Sequence, residues 1–148
     1  MELQEKTKWL GRYQTALSRE RFLEGEIETL RSDAERMTAC MSGMPGRGGP
    51  NIDRLPRAVE RLTEAREKLE NQLESCVSCR CEITQVIAQC TNETGREVLR
   101  RRYILGESYG EIARAMGLVE RRVYQLHRSS VQKLDIAAGG SEGSAGFQ

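Results

Sequence analysis

The 148 residues include one histidine, one tryptophan, two phenylalanines and three prolines. A single imidazole, with no metal-ligand set and no convergent carboxylates, leaves little for acid–base or nucleophilic chemistry. The reading is therefore not an enzyme, with no cofactor and no metal. No stretch approaches the roughly 18 apolar residues of a membrane span, and the opening MELQEKTKWL lacks the apolar run of a signal peptide. Aromatic residues are 5% and charged residues 30%, at a mean hydropathy of −0.60, which suits long exposed helices better than a thick core. The five cysteines are an odd number in a charged, helical chain, so they are read as reduced thiols of an intracellular protein.

Charge is nearly balanced, at a net +1, but unevenly spread. Residues 94–134 hold nine Arg and Lys against four Asp and Glu, whereas residues 1–93 hold fourteen against sixteen. Positive charge is thus concentrated in one segment, as a phosphate-binding surface requires.

What the chain does have is helical periodicity. Across residues 1–37, Trp9, Ala16, Leu23, Leu30 and Met37 recur every seven residues, with Tyr13, Ile27 and Ala34 between them and Glu20 interrupting that second row. Residues 38–52, crowded with Gly and Pro, predict a loop. The loop follows a helix and lacks a Gly-Lys-Ser/Thr ending, so it reads as a connector rather than a phosphate cradle. A second long helix is predicted over 53–93, capped by Asp53 with Pro56 in its first turn. Its seam is Leu55, Leu62, Leu69, Cys76, Ile83 and Cys90, widened by Val59, Leu73 and Ile87. Two such narrow seams pair as a hairpin, between protomers, or in both ways, and a thin two-helix layer favours a homo-oligomer. Cys76, Cys79 and Cys81 resemble half of a zinc site. No second pair completes it, and seam cysteines are small hydrophobes.

Residues 94–134 change character. Thr94–Glu97 and Ser108–Glu111 both fit capping boxes, and the run between them carries Arg100, Arg101 and Arg102. Ile112, Ala113, Met116, Gly117, Leu118, Val123 and Leu126 fit the core and corner of a helix-turn-helix, with Gly117 at the turn. At 100° per residue, Arg121, Gln125 and Arg128 point away from Val123 and Leu126, with Tyr124 on the flank. These four are the expected base readers. Arg100, Arg101, Arg114, Arg122 and Lys133 are expected on phosphates, although for any one arginine the alternative is a solvated charge. His127 falls near the inner edge and is read as packed rather than liganding. Residues 135–148, rich in Gly and Ser, are expected to be a disordered tail. The expected fold is all-α: two long coiled-coil-like helices followed by a three-helix helix-turn-helix domain.

REVLRRRYILGESYGEIARAMGLVERRVYQLHRSSVQKL resembles region 4 of sigma-70-type factors. With Trp9, Leu10 and Tyr13, the loop residues Met44, Pro45 and Gly48, and VYQLH at 123–127, most of the chain resembles phage-encoded RinA/ArpU-type transcriptional regulators. That resemblance implies a phage late-gene activator in the bacterial cytoplasm, acting on double-stranded promoter DNA with host RNA polymerase. The family has Ser or Thr where this chain has Val119, a lost cap that costs about 1 kcal/mol. Two other readings remain open: a DNA-packaging recognition subunit of the small-terminase kind, and a helical protein–protein adaptor.

Overall fold

The computed structural model describes residues 1–42 and 54–136, and within them the chain is all-α. Six helices follow in order: α1 (Leu3–Leu10), α2 (Arg12–Ser42), α3 (Arg54–Ile87), α4 (Glu93–Tyr103), α5 (Tyr109–Met116) and α6 (Glu120–Lys133). Gly11 interrupts α1 and α2 only slightly. It keeps a right-handed helical backbone, its N–H bonds Thr7 O, and its own carbonyl accepts from Thr15. The first long helix therefore runs five residues past the expected Met37, because Thr38–Ser42 contain no glycine or proline to stop it. The expected cap Asp53, and the loop beyond Ser42, lie outside the described residues.

Chain contacts divide the molecule into two compact units. One joins Met1–Ala16 to the chain from Cys76 onward, and the other is Leu17–Ser75; the division falls inside α2 and α3. The second unit pairs the remaining lengths of the two long helices. Ile27, Ala58 and Ala65 are buried there, with Leu23, Leu30, Leu62 and Leu69 half-buried. The seam of α3 holds, but its second row is not Val59 and Leu73, which are 50% and 40% exposed. Ala58 and Ala65, both buried, take that place, one residue earlier. An open groove of about 680 Å³ runs between the helices, lined by Phe22, Leu30 and Ala65 and rimmed by Arg21, Glu26, Arg61, Glu64 and Lys68.

The first unit holds two apolar clusters. Leu10, Ile83, Ile87, Cys90, Leu99, Tyr103, Val131, Leu134 and Ile136 form the larger, with Trp9 and Tyr13 against it. Val98, Ile112, Ala113, Val123 and Leu126 form the smaller, between α4, α5 and α6. The larger cluster draws on the chain's first ten residues and on its last described ones. The three-helix segment therefore does not pack as residues 94–134 alone. Lys6 Nζ donates to the carbonyls of Gln132 and Leu134, at 2.9 and 2.7 Å, satisfying orphan acceptors at the end of α6. Gln14 Nε2 does the same for Tyr103 and Ile104 at the end of α4. Arg12 adds a 2.7 Å ion pair to Glu82.

Two expected boundaries shift. The second long helix ends at Ile87, six residues short of the expected 93. Asp135 and Ile136 are not part of a loose tail: Asp135 N–H donates to Gln89 Oε1, and Ile136 is buried. Residues 137–148 of the expected tail lie outside the described residues.

Candidate nucleic-acid interface

The interface is built on three short helices, and each start and stop has a local cause. Helix α4 is capped by Asn92, whose side-chain oxygen accepts from the N–H groups of Thr94 and Gly95. This corrects the expected Thr94–Glu97 capping box. Asparagine two residues earlier is a stronger cap, and Thr94 becomes one of the donors it satisfies. Glu97 is thereby released to pair with arginines. Helix α5 does open with the Ser108–Glu111 box, each side chain bonded to the other's backbone N–H. It ends at Gly117 with φ +67°, the left-handed conformation that terminates a helix without a Cβ penalty. At the N-cap position of α6 stands Val119, which makes no side-chain cap bond and is 70% exposed.

Close packing of α4 on α6 depends on a glycine that the sequence reading passed over. A Cβ on Gly95 would collide with Ser130 Oγ, and Ser130 is buried. The absence of a side chain at Gly95 leaves room for the buried Ser130 between α4 and α6.

On α6, Val123 and Leu126 face the core, at 0% and 3% exposure, while Arg121, Arg122, Tyr124, Gln125 and Arg128 are exposed. Arg121, Tyr124, Gln125 and Arg128 line one shallow groove together with Glu120. Glu120 was not singled out from the sequence. It lies one position past the turn, at the open N-terminal end of α6, where a carboxylate complements the helix dipole and can accept from a cytosine amino group. Ile112 and Ala113 are buried, and Met116 and Leu118 are half-buried against them.

The basic residues fall into two groups. Arg114, Arg122 and Lys133 are exposed. Arg100 is also at the surface but bonds both oxygens of Glu97, at 3.0 and 2.8 Å. Arg100's hydrogen bond, together with the charges of Arg100 and Arg101, holds the Glu97 carboxyl below its usual range. Arg101 is more deeply committed: it bridges Glu97 and Glu107 at 2.9 and 3.0 Å, with its side chain 25% exposed. Its geometry is that of a structural clamp between α4 and the following loop, so its loss acts first on that loop. Arg102 donates to Glu107 O and stacks its guanidinium 4.4 Å from the Tyr109 ring centre.

Behind this face lies a buried polar pair. His127 is 7% exposed, its Nε2 lies 2.6 Å from the Tyr103 hydroxyl, and Tyr109 meets its ring edge-on. Burial, with a smaller push from Arg102, lowers the imidazole pKa to about 4. Burial likewise raises that of Tyr103. In the CxxCxC stretch, Cys76 is buried, Cys79 half-buried and Cys81 exposed. Among the described residues no three His, Cys, Asp or Glu side chains converge as a metal set. No helix among the described residues is long and apolar enough to cross a membrane.

A three-helix segment whose first two helices are capped, with a left-handed glycine at the corner before an open, basic third helix, is the geometry of a DNA-reading helix-turn-helix. The family model described as Sigma-70, region 4 matches residues 92–135, from the Asn92 cap to the end of α6. Those residues are a sigma-70 region 4-like helix-turn-helix. No curated protein and no solved structure matches the chain. The matched module supports DNA binding in a general regulatory sense, and the family that residues 92–135 match is a DNA-binding regulatory one rather than an enzyme family.

Proposed function

We propose that the protein is a sequence-specific transcriptional regulator that lays α6 in the major groove of promoter DNA. The observation that carries this reading is the exposed row of Arg121, Tyr124, Gln125 and Arg128 on α6, the third helix of the region 4-like module. Arginine forks match guanine O6 and N7, and glutamine matches adenine N6 and N7. Arg114, Arg122, Lys133 and the outer face of Arg100 supply phosphate contacts, which orient the helix without reading sequence. The resemblance to RinA/ArpU-type regulators narrows the proposal to late-gene activation in a phage-infected bacterium, with host RNA polymerase as the protein partner. Self-association through the long helices belongs to the same proposal. Phe22 is 67% exposed, beside a groove whose rim alternates Arg21, Arg61 and Lys68 with Glu26 and Glu64, a pattern a second copy could complement.

Gel-shift titration of the full chain against duplex DNA at rising salt tests the nucleic-acid claim. Four phosphate contacts predict an affinity loss of roughly a hundredfold between about 50 and 200 mM salt. Absence of duplex binding would favour the adaptor reading, and affinity unchanged by salt would remove the phosphate contacts. Native mass measurement of a large ring would favour DNA packaging over activation.

A further inference from the structure

Tyr124 differs from its neighbours on the α6 face in being held by other rings. Its ring centre lies 4.2 Å from that of Tyr109, tilted by 34°. Arg102 sits over Tyr109 at 4.4 Å, and Tyr109 in turn meets the buried His127 edge-on, with centres 5.4 Å apart. The stack therefore runs from a core histidine out to a surface tyrosine. Such contacts restrict ring rotation, and aromatic pairs in tilted geometry are mutually attractive. Yet Tyr124 remains 48% exposed and shares its groove with Arg121, Gln125 and Arg128. A large apolar plane held still beside three hydrogen-bonding side chains has a definite complement on duplex DNA. Among base edges in the major groove, the apolar feature is the C5 methyl group of thymine.

The geometry points to Tyr124 as the reader of a thymine methyl group, with Tyr109 and Arg102 as positioning residues that hold its ring. This rests on the major-groove reading of α6 proposed above. In that scheme Arg121, Gln125 and Arg128 read by hydrogen bonds. Tyr124 adds discrimination against cytosine and uracil, which lack the methyl. The phenol oxygen is not needed for the contact, so Tyr124→Phe keeps it and Tyr124→Ala loses it. Tyr109→Ala leaves Tyr124 in place but frees its ring, which narrows the preference without removing the arginine-dependent part of recognition.

The test takes a duplex selected from a random library by the full-length protein, and replaces its thymines one at a time with deoxyuridine. At one position the wild-type chain should lose about three- to fivefold in affinity, the size expected for one buried methyl group. Tyr124→Phe should show the same loss at that position. Tyr124→Ala should bind the thymine and uracil duplexes equally, and Tyr109→Ala should fall between, with its circular dichroism unchanged. Wild-type protein indifferent to every uracil, or Tyr124→Ala retaining the ratio, overturns the assignment. So does Tyr124→Phe weakening both duplexes equally, which would give the role to the hydroxyl on a phosphate. If uracil has no effect while selection still depends on Arg121, only this inference fails; if no sequence is selected at all, the proposed function fails with it.

Discussion

Leu10→Ala is expected to lower the stability of the DNA-binding unit by about 2–5 kcal/mol, the usual cost of hollowing a packed leucine site. Leu10 lies in the first helix of the chain, yet it is fully buried among Ile83, Ile87, Tyr103, Val131 and Leu134. Its loss removes contacts that join the chain's start to the end of α6, where Lys6 bonds the last carbonyls. Thermal unfolding of the region 4-like module should shift down by roughly 10 °C or more for a unit of this size. DNA affinity should fall with it at any temperature where the unfolded fraction becomes appreciable. Val77→Ala, at a 63% exposed position of the same unit, is the control and should stay within about 0.5 kcal/mol of wild type. Should Leu10→Ala melt like wild type, the amino-terminal helix would not belong to the core, and a module of residues 94–134 would be self-sufficient.

The second large effect is a loss of stability on mild acidification, traced to His127. In the folded chain its imidazole pKa is lowered to about 4, against an ordinary 6.5, because burial disfavours the charged ring. Above pH 6.5 the ring is neutral in both states and contributes no pH dependence. Between 6.5 and about 4 the unfolded chain takes up a proton that the folded chain refuses, so stability falls as the pH drops. Below about 4 both states bind the proton, and this group's loss levels off at about 2–3 kcal/mol, allowing for residual solvent around the ring. Glu97, whose carboxyl is held below its usual range by Arg100, destabilises in the same direction but only at lower pH. Urea unfolding of wild type and His127→Gln from pH 7 to pH 4.5 separates the two. Wild type should lose stability across that interval and the variant should not. Equal slopes would mean that the ring also takes up the proton in the folded protein, its Nε2–H then donating to the Tyr103 hydroxyl 2.6 Å away.

Much of this fold is legible from local pattern. The seven-residue spacing along 9–37 and 55–90 announces two long helices. Ser108 and Glu111 announce the start of α5, and the need for a positive φ announces Gly117. These signals span a few residues each and need no knowledge of what packs against them. Other features fail at the same scale because the deciding partner lies far along the chain. Lys6 finds its acceptors 126 and 128 residues away, and no periodicity encodes that meeting. The second row of α3 falls on Ala58 rather than Val59, a one-residue offset that the seven-residue spacing does not resolve. The capping-box spacing points to Thr94, but Asn92, whose side chain also accepts from a backbone N–H, takes the cap two residues earlier.

The candidate site divides along the same line. Arg121, Gln125 and Arg128 are outward by rotation alone, since Val123 and Leu126 fix the inward direction of α6. Arg101 looked equivalent to Arg100 in a run of three arginines, but Glu107, in the loop beyond α4, captures it together with Glu97. Glu120 went unnoticed because one acidic residue in a basic segment carries no pattern of its own. Gly95 went unnoticed because its importance lies in Ser130, a residue on another helix.

Selection of duplexes from a random library by the wild-type chain, Arg121→Ala and Gln125→Ala reaches the central claim most directly. Wild type should return a defined motif. Arg121→Ala should lose preference for guanine at one position, and Gln125→Ala for adenine at another, each by about 1–3 kcal/mol of discrimination. Affinity for arbitrary duplex should change far less. If all three chains return the same motif, α6 is not the element that reads DNA, and the account of its exposed face is wrong.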